Sequence, residues 1–533
     1  MDLQEKLSGK ILVTLFVAVL AKLWLVEAHE IFAKHRPHDD LLFVAQAYNL
    51  LNGEWLGDFT NKTLIKGIGN PLFIAAVYWL GLPLLTAYHL LYAFACLVVV
   101  FALKPLVRQQ HYLIFLFLLL LFNPFSYSYP LMSSTLRASL YVSLVLLCFG
   151  SMVGLWYYTR RSWFSSAKWT MLLSVSFTML WITREEVVWI IPALVCFGLI
   201  YVLPWHWNMG SSVKRRLCMF VCPFILLAAT TAIIAELNHH YYSVRLVNDI
   251  KSKEFVSALG GLMNIKPKHF KRHEVVSKYA QEKAFEVSPS FSELKPFLGE
   301  GRLPPSFYIW ALRSATRKAG YYGGNNDANL SLDFYRRVGS EINAACNSGK
   351  LNCFDRKATL RPPWRHKDYN SLVLPTFFDL ASRAINFNQF NPFSSAYQSN
   401  VGKDVLLLYD FVTGEHPARK SVWTRAPDFE KKLTNAKEYA MGRIGKIYRY
   451  LVPLLFTLAV FFHGRMLVLA LTTKNICFQP VFGVILFGSG LSILMMLTFV
   501  KITLWDVVRP LYAIYPIVLV YIVWVLIPMR KDV

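Results

Sequence analysis

Ten apolar runs, each near the length of a bilayer crossing, divide this 533-residue chain. A helix needs roughly 20 apolar residues to traverse the hydrocarbon layer, and such runs lie near 11–27, 84–104, 111–130, 136–158, 168–183, 186–204, 216–236, 448–471, 479–500 and 510–528. The apolar residues come in continuous blocks and not in the alternating patterns of a soluble core. Lipid offers no hydrogen bonds to the backbone, so each run satisfies its own amides and carbonyls as a helix. The expectation is an all-α polytopic membrane protein with about ten transmembrane helices. The first run has no small-residue cleavage site after it and reads as an uncleaved helix.

The chain carries 56 Lys and Arg against 32 Asp and Glu, a net charge of +24. That excess sits largely in short loops between apolar runs, which points away from nucleic acid and toward anionic membrane lipid and lipid-linked phosphate. Short cytoplasmic loops collect Lys and Arg, so 104–111, 157–169, 211–217 and the tail 529–533 are read as inside. The first loop (28–69), the turn 128–137, the corner "TREE" (183–186) and the long segment 237–447 then share the outer side. This parity requires the short run 70–82 to be a re-entrant or interfacial helix. His463 and Arg465 interrupt a later run; a single helix through them is expected, and a cytoplasmic turn there would reverse the orientation of the remaining helices.

The chain divides into an N-terminal transmembrane module (1–236), an exoplasmic domain (237–447) and C-terminal transmembrane helices (448–533). Helical periodicity over 330–346 and 371–387 predicts a mainly helical domain, with loops at 320–330 and 360–370. Of the eight cysteines, Cys346 and Cys353 alone lie in this polar segment, as "CNSGKLNC". In an oxidising compartment that spacing favours a local disulfide.

The first outer loop contains "RPHDDLLFVAQAYNLLNGEWLG", from Arg36 to Gly57. Asp39 and Asp40 are readable as solvated charge, or as the cap of an interfacial helix over 41–53 that ends at Gly53. The wider pattern, Asp39, Asp40, Phe43, Ala47, Leu50, Leu51 and Gly53, then "KGIGNPLF" with Lys66, Gly67 and Pro71, resembles the first outer loop of the GT-C superfamily of polytopic glycosyltransferases. Protein O-mannosyltransferases and lipid A aminoarabinose transferases belong to that superfamily. "TREE", with Arg184 and Glu186, resembles its Arg-x-Glu corner, and "RPLYAIYP", with Arg509, Tyr512 and Pro516, resembles the start of its last helix. One departure concerns the second outer loop, where members often carry an acidic residue that helps bind a metal. Here "MSSTLRASL" offers Ser133, Ser134, Thr135 and Arg137, so a divalent metal cofactor is not implied by this loop.

The resemblance implies a GT-C-like enzyme that moves a sugar, with inversion, from a polyprenyl-phosphate donor to an acceptor on the outer face. An acceptor hydroxyl needs a base within hydrogen-bond reach; Asp39 is the expected base, coupled to Asp40 beside it. The leaving phosphate gathers negative charge, which cations must meet: Arg184 and Arg509 first, then Lys62, Lys66 and Arg137, with Glu185, Glu186 and Tyr512 in support. The ordinary alternative for each cation is interfacial snorkelling or an ion pair. His239 and His240 lack further ligands at metal spacing and read as interfacial, and the sequons at Asn61 and Asn329 matter only in a eukaryotic secretory pathway. The expected setting is the bacterial inner membrane, with the site facing the periplasm and an envelope glycan, such as lipopolysaccharide O-antigen, as acceptor. An O-antigen or capsule polymerase, or a transporter or flippase of lipid-linked sugars, are the competing readings.

Overall fold

The computed structural model describes residues 8–34, 38–203, 212–298, 305–324, 326–387, 389–393, 399–418, 426–474, 477–504 and 509–530, less the side chains of 305, 509 and 510. The described residues are helices joined by turns, and their β-pairing is confined to three isolated bridges. Among the described residues six helices are long and apolar enough to cross a membrane: Gly9–Val26, Leu84–Leu103, Ala138–Tyr158, Val213–Tyr242, Asp428–Thr472 and Phe478–Thr503. The expected all-α polytopic membrane architecture is the one observed.

At the centre stands Ala138–Tyr158, buried along its apolar length and packed between Leu84–Leu103 and Trp163–Thr183. The run expected to cross at 111–130 does not continue that far, because its helix stops at Leu121. Asn123 accepts the Phe125 amide at 2.9 Å and Pro124 comes next, so the chain turns into a 3-10 segment over Pro124–Tyr127. Proline there has no amide to continue the helical ladder. At roughly 1.5 Å per residue the surviving helix is about half a bilayer long. The helix Gly69–Trp79 is equally short, as a segment that dips and returns requires.

One helix runs unbroken from Asp428 to Thr472 through His463 and Arg465. The imidazole is buried and knits three helices together, with Nδ1 3.0 Å from the Tyr521 hydroxyl and Nε2 2.9 Å from the Pro480 carbonyl. Gly483 leaves room for the ring: a Cβ there would lie 2.7 Å from Nε2. Arg465 is exposed.

The basic segments read as cytoplasmic meet one another. The 104–111 loop pairs with the tail, Arg530 N–H donating to Leu106 O at 2.8 Å and Arg108 N–H to Pro528 O at 3.2 Å. Arg215 donates to the Ser166 hydroxyl at 2.9 Å, which brings 211–217 onto 157–169.

Among the described residues two large apolar cores, and a small one of Val26, Tyr127 and Met441, organise the molecule. The larger belongs to the apolar helices, and Tyr409, Leu380 and Phe387 join it, so the helices His366–Asn386 and Lys403–Thr413 pack on the bundle. A second core gathers Phe255, Leu259, Leu312, Phe334 and Ile342 from the polar segment together with Leu56, Phe59, Leu64 and Ile68 of the first loop. The first loop is thus built into this second unit. A disulfide between Cys346 and Cys353, Cα atoms 5.6 Å apart, fixes the end of Asn329–Asn347. Arg272 and His273 bind the last carbonyls of Phe478–Thr503, at Lys501 and Ile502, where a helix dipole favours cationic partners.

Candidate active site

The helix Asp40–Leu51 begins where the sequence places the two carboxylates, but neither reading of them as a simple cap holds. Asp39 occupies the N-cap position without a side-chain capping bond; its Oδ1 accepts an ion-paired hydrogen bond from Lys66 Nζ instead. Its side chain is 33% exposed, enough to meet a ligand. Asp40 is wholly enclosed in the first turn, where a negative charge suits the helix dipole.

The second loop supplies scaffolding in place of an acid. Thr135 Oγ1 donates to the Asp40 carbonyl at 3.1 Å, Asn70 Nδ2 donates to Thr135 O at 2.9 Å, and Ser133 O accepts the Phe32 amide at 2.7 Å. Ser133, Ser134 and Thr135 are all buried. The Thr135 hydroxyl and carbonyl and the Ser133 carbonyl therefore fasten the second loop to the first.

Lys66 lies in an aromatic and cationic setting, its Nζ 5.4 Å from the Phe43 centroid and 5.8 Å from that of Trp310. Burial, then the neighbouring Arg137 charge, push its pKa down, while Asp39 and Glu185 pull it back up. Arg137 crosses the other part of the Phe43 ring at 5.5 Å and donates from Nη1 to Glu185 Oε2 at 2.7 Å and to the Thr183 carbonyl at 3.0 Å. The second carboxylate oxygen, Glu185 Oε1, accepts the Gly67 amide at 2.7 Å. Burial works to raise the Glu185 pKa, but Arg137 and the backbone amides outweigh it and hold the carboxyl at about 2. Gly67 must be glycine for this approach, since a Cβ there would fall 2.1 Å from the Ile182 carbonyl oxygen. One carboxylate thereby docks the lysine-bearing loop onto the corner between two apolar helices.

Arg184 pairs with Glu186 at 3.4 Å and lies 5.0 Å from the Tyr141 centroid. Tyr141 in turn accepts from Trp189 Nε1 at 2.6 Å. Lys62 and the exposed Arg317 are close enough that, after burial, Arg317 is what lowers the Lys62 pKa. His38 lies tilted against Trp310 with centroids 4.1 Å apart. Burial first, and then Lys62 and Lys66, press its pKa down to about 4, so the ring is neutral at neutral pH.

Beneath the loop, Arg313 Nη2 pairs with Asp249 at 2.8 Å with both side chains buried, while its Nε donates to the Asn61 carbonyl at 2.8 Å. Not every expected residue joins the cluster. Tyr512 packs on Phe125 and Phe390, and the Arg509 side chain lies outside the described residues. His239 and His240 sit in the last turn of Val213–Tyr242. Among the described residues no group of three or more His, Cys, Asp or Glu converges as a metal ligand set. Trp310, Tyr141 and Arg313 were not legible as site residues, because each arrives from a distant part of the sequence; His38 adjoins Asp39, but its contact with Trp310 is set by tertiary packing, and only the aromatic content of "SFYIWALR" hinted at a contact surface.

Fold and site together define a polytopic, all-α membrane protein with a charged, partly exposed cluster beside its apolar helices. No protein-family model matches the chain, and no curated protein matches it. Among solved structures, the crystal structure of ArnT from Cupriavidus metallidurans in the apo state is similar at 13% identity, covering 86% of this chain and 81% of that one, with a TM-score of 0.33.

Proposed function

We propose that the chain is an inverting membrane glycosyltransferase of GT-C type, taking a sugar from a polyprenyl-phosphate donor to an envelope glycan on the periplasmic face of the bacterial inner membrane. The observation that carries this reading is the Asp39–Lys66 ion pair: a partly exposed carboxylate held by a flexible point charge, with further cations around it. In the reaction, Asp39 takes the proton from the acceptor hydroxyl as its oxygen bonds to the anomeric carbon. The bond from that carbon to the phosphate oxygen breaks, and polyprenyl phosphate leaves with the electron pair. Lys66 exchanges Asp39 for the phosphate, which frees the base and meets the leaving group in one movement. Lys62, Arg184 and Arg509 complete the phosphate's surroundings. Arg137 and Glu185, already bonded to each other and to the loop, position Lys66, and the Arg137 charge adds to the cations that meet the phosphate.

Asp40 acts on Asp39 through charge alone in this scheme. The competing transporter reading rests on His463 and Arg465 at mid-membrane, and the packed imidazole with its two partners gives it no support. The test is to compare envelope glycans by mass spectrometry from cells with and without the intact chain. Gain of one sugar mass with the chain present supports the transferase; an altered chain-length distribution with no new sugar mass supports the polymerase.

A further inference from the structure

A cavity of about 320 Å³ lies away from the Asp39 cluster, between the Pro124–Tyr127 turn, the segment after His366–Asn386 and the long helix Asp428–Thr472. Tyr127, Phe387 and Phe390 line it together with Arg443, Lys446 and Arg449. None of the described residues lining it is acidic. The three cations recur at intervals of three along one helix, which brings them to neighbouring positions, and no described carboxylate forms an ion pair with them. Arg443 is steadied by the Tyr439 hydroxyl, which accepts from its Nε at 2.8 Å.

A second observation comes from Tyr127. Tyr127 is 1% exposed, lines the cavity, and its hydroxyl has no hydrogen-bond partner among the described residues. A buried hydroxyl left without a partner costs free energy, so a ligand oxygen at this point would satisfy it. The hydroxyl faces the cation-bearing helix at Gly445, where a Cβ would stand 3.7 Å from it.

The height of the cavity identifies the ligand. Up to Arg449 the helix is rich in Lys, Arg and Glu, whereas from Tyr450 to Leu471 it is apolar apart from His463 and Arg465. The cations therefore stand at the level of lipid headgroups. Below them Tyr450, Leu454, Leu458 and Phe461 are exposed and continue the face of Lys446 at helical spacing. We propose that this cavity binds the phosphate headgroup of an anionic membrane lipid, whose hydrocarbon chain lies along that apolar stripe. The inference is independent of sugar transfer, since its residues are not those of the Asp39 cluster.

The test is native mass spectrometry of the full chain in detergent, titrated with phosphatidic acid or phosphatidylcholine. The triple variant R443Q/K446Q/R449Q is compared with a charge-matched control, R161Q/K214Q/K432Q, and with Tyr127→Phe, which removes only the hydroxyl. At about tenfold per 1.4 kcal/mol and about 1 kcal/mol per cation near an anionic headgroup, the triple variant is expected to bind phosphatidic acid at least about tenfold more weakly. Tyr127→Phe binds several-fold more weakly with unchanged thermal stability, the control binds as the intact chain does, and Asp39→Asn leaves binding unaltered. Equal retention by the triple variant, equal loss in the control, equal affinity for phosphatidylcholine, or full displacement by millimolar inorganic phosphate overturns the proposal.

Discussion

Lys66 holds Asp39 across the mouth of the first outer loop, and the two are 27 residues apart in sequence. A carboxylate paired in this way is occupied, so its use as a base depends on where the lysine goes. Replacing Lys66 with Met is expected to raise the KM for donor by roughly tenfold or more, with a smaller fall in kcat, because the charge acts first on the bound phosphate. Lys66→Arg restores much of the affinity. The measurement is steady-state transfer in reconstituted membranes, using the donor that the glycan mass identifies.

Glu185 locks this arrangement from beneath. Glu185→Gln leaves Arg137 without its counter-charge in a largely buried site, and the expected cost is about 3 kcal/mol. The folded carboxyl is held at about 2, below its ordinary 4.5, so the unfolded chain binds the proton more readily as pH falls. The contribution is therefore complete above the ordinary carboxylate range and is lost as pH drops toward 2. Thermal unfolding of the two proteins should differ by a constant amount from pH 8 to pH 5 by this linkage, and converge only in stronger acid.

Glu415 gives the opposite sign. It accepts the Leu85 amide at 2.6 Å at the start of Leu84–Leu103, and burial raises its pKa to about 7. Between the ordinary carboxylate range and 7 the unfolded chain has released this proton while the folded chain keeps it. Stability from this group falls as pH rises through that window. Glu415→Gln is expected to flatten the pH dependence of the melting temperature there and to be more stable than the intact chain at pH 8.

Arg313 and Asp249 form a buried pair under the loop that carries Lys62 and Lys66. Arg313→Met alone should destabilise the second core by roughly 3–5 kcal/mol, since it strands a buried carboxylate. Combining it with Asp249→Leu is expected to recover part of that loss. Limited proteolysis within 243–365 checks both.

The helix positions were legible in the sequence wherever an apolar run kept its length, because lipid and backbone together permit little else. The ends were less so. The run at 111–130 stays apolar past Leu121, and hydropathy carries the eye over Asn123 and Pro124, whose chemistry stops the helix. Asp39 and Lys66 were both readable as candidates from one loop, but their pairing was not, because the loop's path is set by the second core. Glu185 reaching Gly67 across 118 residues, and Trp310 arriving over Lys66, depend on tertiary packing that no local pattern encodes. That the second loop has no acidic residue was visible; that Thr135 binds the Asp40 carbonyl was not.

The most direct test of the central claim is the envelope glycan mass in cells carrying the intact chain, Asp39→Asn or the exposed control Asp58→Asn, with protein levels matched. Loss of a base is worth about 10²–10⁴ in rate, so the added sugar should vanish in Asp39→Asn and persist in Asp58→Asn. A glycan that keeps its sugar in Asp39→Asn would contradict the assignment of Asp39 as the base.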